Sequence, residues 1–203
     1  MKISKKVVVA SLVGLIIGAL VTTAIRFALY KPDSVHYHAN FSLYVNGVLD
    51  KFDGPGYYEE ETACTSSNSD NPRTRIHLHD QNPGLVHVHS HAVMWADLFA
   101  NIGYGLSDQA VTTTSNVYVN GQDGNKLSFV LNGKTVSNVS GRMVNSEDVL
   151  LINYGKDDQS TIDKRYSAVP RDAHKSNTED DPATCSGSRP ITFKEKLKKA
   201  VGL

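Results

Sequence analysis

From His36 to Val45 polar and apolar side chains alternate. Tyr37, Ala39, Phe41, Leu43 and Val45 share one side of an extended chain, and His36, His38, Asn40, Ser42 and Tyr44 share the other. Period two with one apolar face predicts a half-buried strand. Asn46-Gly47 supplies the positive-φ pair of a two-residue hairpin, with Val48 to Phe52 as the return strand. A loop rich in Gly, Ser, Asn, Asp and Pro follows over 53–73. Arg75 to Asp80 and Leu85 to Ser90 then read as two short strands joined through Gln81-Asn82-Pro83-Gly84. Trp95, Leu98, Phe99 and Ile102 recur at helical spacing, with Ser90 as the expected N-cap and Gly103 at the C′ position. Further strands are expected at Val117–Val119, Leu127–Leu131, Lys134–Val136 (after the turn Asn132-Gly133) and Val149–Tyr154. The polar stretch 156–189 carries two short helices, around Ser160–Ala168 and Pro170–Asn177. Thr192 to Leu203 forms a basic helix with Phe193, Leu197 and Val201 along one side, suited either to an anionic membrane surface or to a solvated tail.

The expected fold is therefore α+β: a mainly antiparallel sheet with hairpins and one central helix, preceded by a single N-terminal transmembrane helix. Residues 1–30 are the anchor, 31–155 the histidine-rich domain, and 156–203 a polar arm with a basic tail. The closing hairpin-then-strand pattern resembles, at low specificity, the end of a β-grasp domain.

The anchor rests on Val7 to Ile25, nineteen residues without a charge. At about 1.5 Å per residue they nearly match a hydrocarbon core of about 30 Å. Lys2, Lys5 and Lys6 precede this run and place the amino end in the cytoplasm and the rest outside. A cleaved signal peptide is the competing reading, since Thr22-Thr23-Ala24 would serve as a cleavage site. The length of the run and the collar of Arg26, Tyr30 and Lys31 favour the uncleaved anchor.

Lys and Arg number 21 and Asp and Glu 21, but the balance is uneven along the chain. Residues 27–190 carry 13 basic and 20 acidic groups, so the body is acidic and has no basic stripe. That sets nucleic acid aside as a partner. Cys64 and Cys185 both sit among turn residues, and outside the cytoplasm such a pair is expected to form a disulfide.

Seven of the eight histidines fall within residues 36–91, as His36-x-His38, His77-x-His79 and His87-x-His89-x-His91. Residues i and i+2 of a strand project from one face, their Cα atoms about 6.5–7 Å apart, which lets two imidazoles reach one ion at about 2.0–2.1 Å. Ile76 and Leu78 alternate with one pair and Val86 and Val88 with another, so all three strands can share one apolar and one imidazole face. The hairpin aligns them only if paired residue numbers sum to an even value, for example His79 opposite His87 and His77 opposite His89. His91, at the strand-to-helix boundary, either swings back to the group or caps outward.

An all-imidazole set without Cys or Met suits Zn or Cu(II) and disfavours Cu(I). Seven rings allow one or two ions. Asp80 is placed to orient a ring N–H or complete the site, or simply to enter the turn. Three functions remain open: metal capture, delivery or storage; a metalloenzyme, hydrolytic with zinc or redox with copper; and a metal-free structural surface module. Glu59, Glu60 and Glu61 offer a general base for the second, or a solvated acidic face. The ligand pattern resembles the H-x-H-plus-H arrangement of α-carbonic anhydrases, but nothing else in the chain matches them.

Val35-His36-Tyr37-His38-Ala39-Asn40-Phe41, Arg75-Ile76-His77-Leu78-His79-Asp80 and Val86-His87-Val88-His89, followed by Trp95 and Phe99 to Gly103, resemble a family of small membrane-anchored extracytoplasmic proteins of uncultured reduced-genome microbes. The likeness covers about residues 35–155. It implies placement outside the cell and a shared histidine core, and no reaction.

Overall fold

The computed structural model describes residues 4–30, 35–59, 71–179 and 192–202. Cys64, Cys185, Glu60 and Glu61 lie outside the described residues. The chain divides into two compact units, Met1–Asp33 with Ser188–Leu203, and Ser34–Gly187.

In the first unit α1 runs from Lys5 to Leu29, long and apolar enough to cross a membrane. Ser4 caps it by accepting from the Lys6 amide. A short basic helix, Phe193–Val201 (α5, the last of the chain), packs beside its far end, where the Phe27 and Phe193 ring centroids lie 5.2 Å apart.

The second unit is an α+β domain. Its strands are β1 (Tyr37–Val45), β2 (Val48–Leu49), β3 (Ile76–Leu78), β4 (Leu85–Val88), β5 (Gly105–Leu106), β6 (Ala110–Thr112), β7 (Val117–Val119), β8 (Lys126–Leu131), β9 (Lys134–Val136) and β10 (Val149–Gly155). Helices α2 (Trp95–Asn101), α3 (Gln159–Ser167) and α4 (Ala173–Thr178) complete it. The main sheet runs β3-β4-β1-β10-β8-β9, with β2 paired to β1; β5, β6 and β7 form a second, small sheet. Neighbours pair antiparallel except β1 and β10, which run parallel at the centre. Asn46-Gly47 and Asn132-Gly133 make their hairpins with both residues at positive φ, the turn whose twist matches the flanking strands.

One face of the main sheet carries Ala39, Phe41, Leu43, Ile76, Leu78, Val86, Val88, Phe129, Leu150 and Ile152, all buried against Trp95, Leu98 and Phe99 of α2. On the other face Val130 and Leu151 pack against Ile162 of α3 and Val169. Asn40, on that same face of β1, is fully buried. Its Nδ2 donates to Asp172 and to the Gly84 carbonyl, and its Oδ1 accepts from the Ala173 amide, fastening α4 to the sheet.

Three local expectations change. The return strand after Gly47 is only Val48–Leu49, because Phe52 adopts a left-handed φ of 48° and turns its ring into the core. Ser90 is not the cap of α2: residues 92–94 stay outside the helix, with Met94 bridged to Met143, and the Asp97 carboxylate accepts from the Met94 amide at 2.7 Å. The turn after β3 centres on Asp80 and Gln81, both at positive φ, and closes through the Asn82 amide on the His79 carbonyl at 2.9 Å.

Candidate metal centre

The centre is built on β3, β4 and β1, whose apolar residues occupy the core face and force the alternate residues onto the other. β4 lies between its neighbours. His87 therefore stands directly opposite His38 on one side and His77 on the other. The even-sum pairing of β3 with β4 holds, but the register is His77 opposite His87, two residues from the example expected above. The His89 amide bonds the Arg75 carbonyl and keeps that register past the strand end.

Six imidazoles form one layer. Ring centroids are 4.4 Å apart for His38 and His87, 4.7 Å for His36 and His38, 4.7 Å for His36 and His89, 5.1 Å for His77 and His89, and 5.3 Å for His79 and His87. Two triads offer ligand atoms within 4.8 Å of one another: His36, His38 and His87, and His77, His87 and His89. His87 belongs to both. His79 lies beside the second triad. His91 is exposed and joins neither triad.

The outer partners set the tautomers. Asn177 Oδ1, which only accepts, lies 2.9 Å from His38 Nδ1 and also takes the His38 amide at 2.8 Å. The Arg73 carbonyl sits 2.9 Å from His77 Nδ1, and Asp80 Oδ1 sits 2.9 Å from His79 Nδ1. The Nδ1 atoms of His38 and His77 therefore carry their protons, and the Nε2 of each keeps its lone pair for the cluster. His38 Nε2 meets His87 Nδ1 at 3.2 Å. The buried Nε2 of His89 has no hydrogen-bond partner among the described residues.

Three of the rings are held neutral. Burial, then the neighbouring histidines, hold His87 far below its ordinary titration range. The same causes push His89 down to about 3. Burial pushes His77 down to about 4, against the pull of the Arg73 carbonyl. At neutral pH these rings are neutral, the form that binds metal.

Asp80 enters the turn at positive φ, and its carboxylate lies 2.9 Å from His79 Nδ1. Glu59 pairs with Arg73 at 2.6 Å. Asn177 carried no signal in the local pattern: it lies in the arm, 139 residues from His38. No family model, curated protein or solved structure matches the chain.

Proposed function

We propose that the protein is a single-pass membrane protein, amino end in the cytoplasm, whose outer domain holds one Zn or Cu(II) ion in its imidazole layer for capture, delivery or storage. The observation that carries this is the convergence of two histidine triads, built from three strands, in a largely buried layer. An isolated histidine is often a satisfied core residue, but in this layer of six His38 and His77 hold their Nδ1 protons outward and turn Nε2 lone pairs inward, where donors are few. A cation suits that imbalance.

The place of His87 in both triads favours one ion over two. A neutral imidazole has a single lone pair, so His87 serves one triad at a time. An ion between His38 and His87 takes the place of their hydrogen bond and requires His87 to carry its proton on Nε2. Holding, rather than catalysis, is favoured by enclosure: structural sites are closed whereas catalytic sites keep an open position, and two rings of each triad are buried while His36 or His89 is partly exposed. An uncleaved anchor is supported by the charge-free run from Val7 to Ile25, long enough to span. The resemblance to anchored extracytoplasmic histidine-rich proteins points to the same placement.

Elemental analysis of the full chain, purified in detergent without an affinity tag, tests the reading. About one zinc or copper per chain is expected; a metal-free protein that also ignores added Zn and Cu(II) would leave the imidazoles a structural role only. Asn177→Ala should weaken metal binding by about 10–100-fold, the usual cost of losing a group that orients a ligand, read by competition with a chromophoric chelator. Unchanged affinity would mean His38 needs no such orientation.

A further inference from the structure

We propose that α5 is a second membrane contact, lying in the outer headgroup layer against anionic lipid beside the point where α1 leaves the membrane. α5 packs on α1 through Ala200, which is 2% exposed, and through Lys196, whose ammonium stands 4.9 Å from the Phe27 ring centroid. Arg26 donates to the Lys199 carbonyl at 3.3 Å, closing the end of the contact. These partners, Arg26 and Phe27, follow immediately after the uncharged run of α1. The contact thus fixes α5 at the height where hydrocarbon gives way to headgroups.

The side of α5 next to that contact is apolar and uncovered. Phe193 is 72% exposed, Leu197 42% and Val201 49%. Four residues apart, they form a stripe along one face of the helix. Ile25 and Leu29 of α1 are also uncovered. Lys194 and Lys198 follow the stripe around the helix on its side away from α1, and the segment 191–203 holds four basic residues and one acidic. Apolar residues flanked by lysines are the composition of a helix lying in an interface, and each lysine near an anionic surface adds attraction. A lysine's long stem lets its ammonium reach the headgroups while the apolar stripe sits lower.

The test places an indole in the stripe. Leu197→Trp is made in the full chain and reconstituted in vesicles of phosphatidylcholine and phosphatidylglycerol with bromines near the headgroup end of the acyl chains. The parent protein contributes only Trp95, fully buried in the other unit, as background and as a check that the domain is folded. The added emission should be quenched, and the quenching should be lost when Lys194 and Lys198 are replaced by Glu. It should also weaken in phosphatidylcholine alone or at high salt. An unquenched, blue-shifted indole would place the stripe against protein, a second copy or the outer domain, and an unquenched, red-shifted one would make α5 a solvated tail; either overturns the proposal. Quenching indifferent to lipid charge would overturn its anionic part. Val201→Trp repeats the measurement if the first variant fails to reconstitute.

Discussion

Replacing His87 with Ala is expected to leave the protein without stoichiometric metal, while His91→Ala leaves the metal content unchanged. His87 belongs to both triads because β4 lies between β1 and β3. Removing it leaves only His36 and His38 of one triad and His77 and His89 of the other. No described triad then survives. Tetrahedral zinc sites with binding free energies of about 10–16 kcal/mol lose on the order of 3 kcal/mol per ligand, more than a hundredfold in affinity. His91 is exposed and serves as the internal control. His87→Gln keeps a polar side chain in the layer, and Trp95 emission reports whether either variant is folded. Full metal content in folded His87→Ala would show that the ion, if bound, sits elsewhere.

The metal-free protein should unfold on mild acidification, before its carboxylates titrate. His77 and His89 titrate near 6.5 in an unfolded chain but at about 4 and about 3 in the folded one. Above pH 6.5 neither state takes a proton on these rings, and their neutral packing is fully retained. As pH falls below 6.5 the unfolded chain binds protons that the folded chain refuses, so stability drains away until the folded values are reached. For His77 alone this amounts to on the order of 3 kcal/mol by pH 4, a large share of a typical total of about 5–15. Asp108 and Asp157, held below the usual carboxylate range by the Val139 amide and by Arg165 respectively, contribute stability that disappears only below about pH 4. The window from 6.5 to 4 therefore belongs to the histidines. Trp95 emission against pH should fall within it, and bound zinc should move the transition lower, since protons must first displace the ion. An unchanged signal down to pH 4 would mean that the rings are not held neutral.

Much of this was legible in the amino-acid order. Period-two alternation in β1, β3 and β4 placed histidines opposite the apolar core, because the core decides which face a strand buries. Asn-Gly pairs marked both hairpins, since few other dipeptides accept two positive φ values. The charge-free run marked α1 as long enough to span. Strands β5 (Gly105–Leu106) and β6 (Ala110–Thr112) went unseen, because no Asn-Gly pair marks the turn between them as it does before β9. The expected Ser90 cap failed because Val93 is buried and Met94 pairs with Met143, a partner almost fifty positions away that no local window contains.

The sequence by itself determined that imidazoles would crowd one side of a sheet and that they would lie on short strands near one another in the chain. Only the tertiary structure decided that β4 would sit between β1 and β3, making His87 common to both triads. It alone brought Asn177 to His38 and left His91 outside. Alternation is a local consequence of strand geometry, whereas strand order, register and the docking of a distant helix follow from contacts whose free energy exists only once the chain has closed on itself.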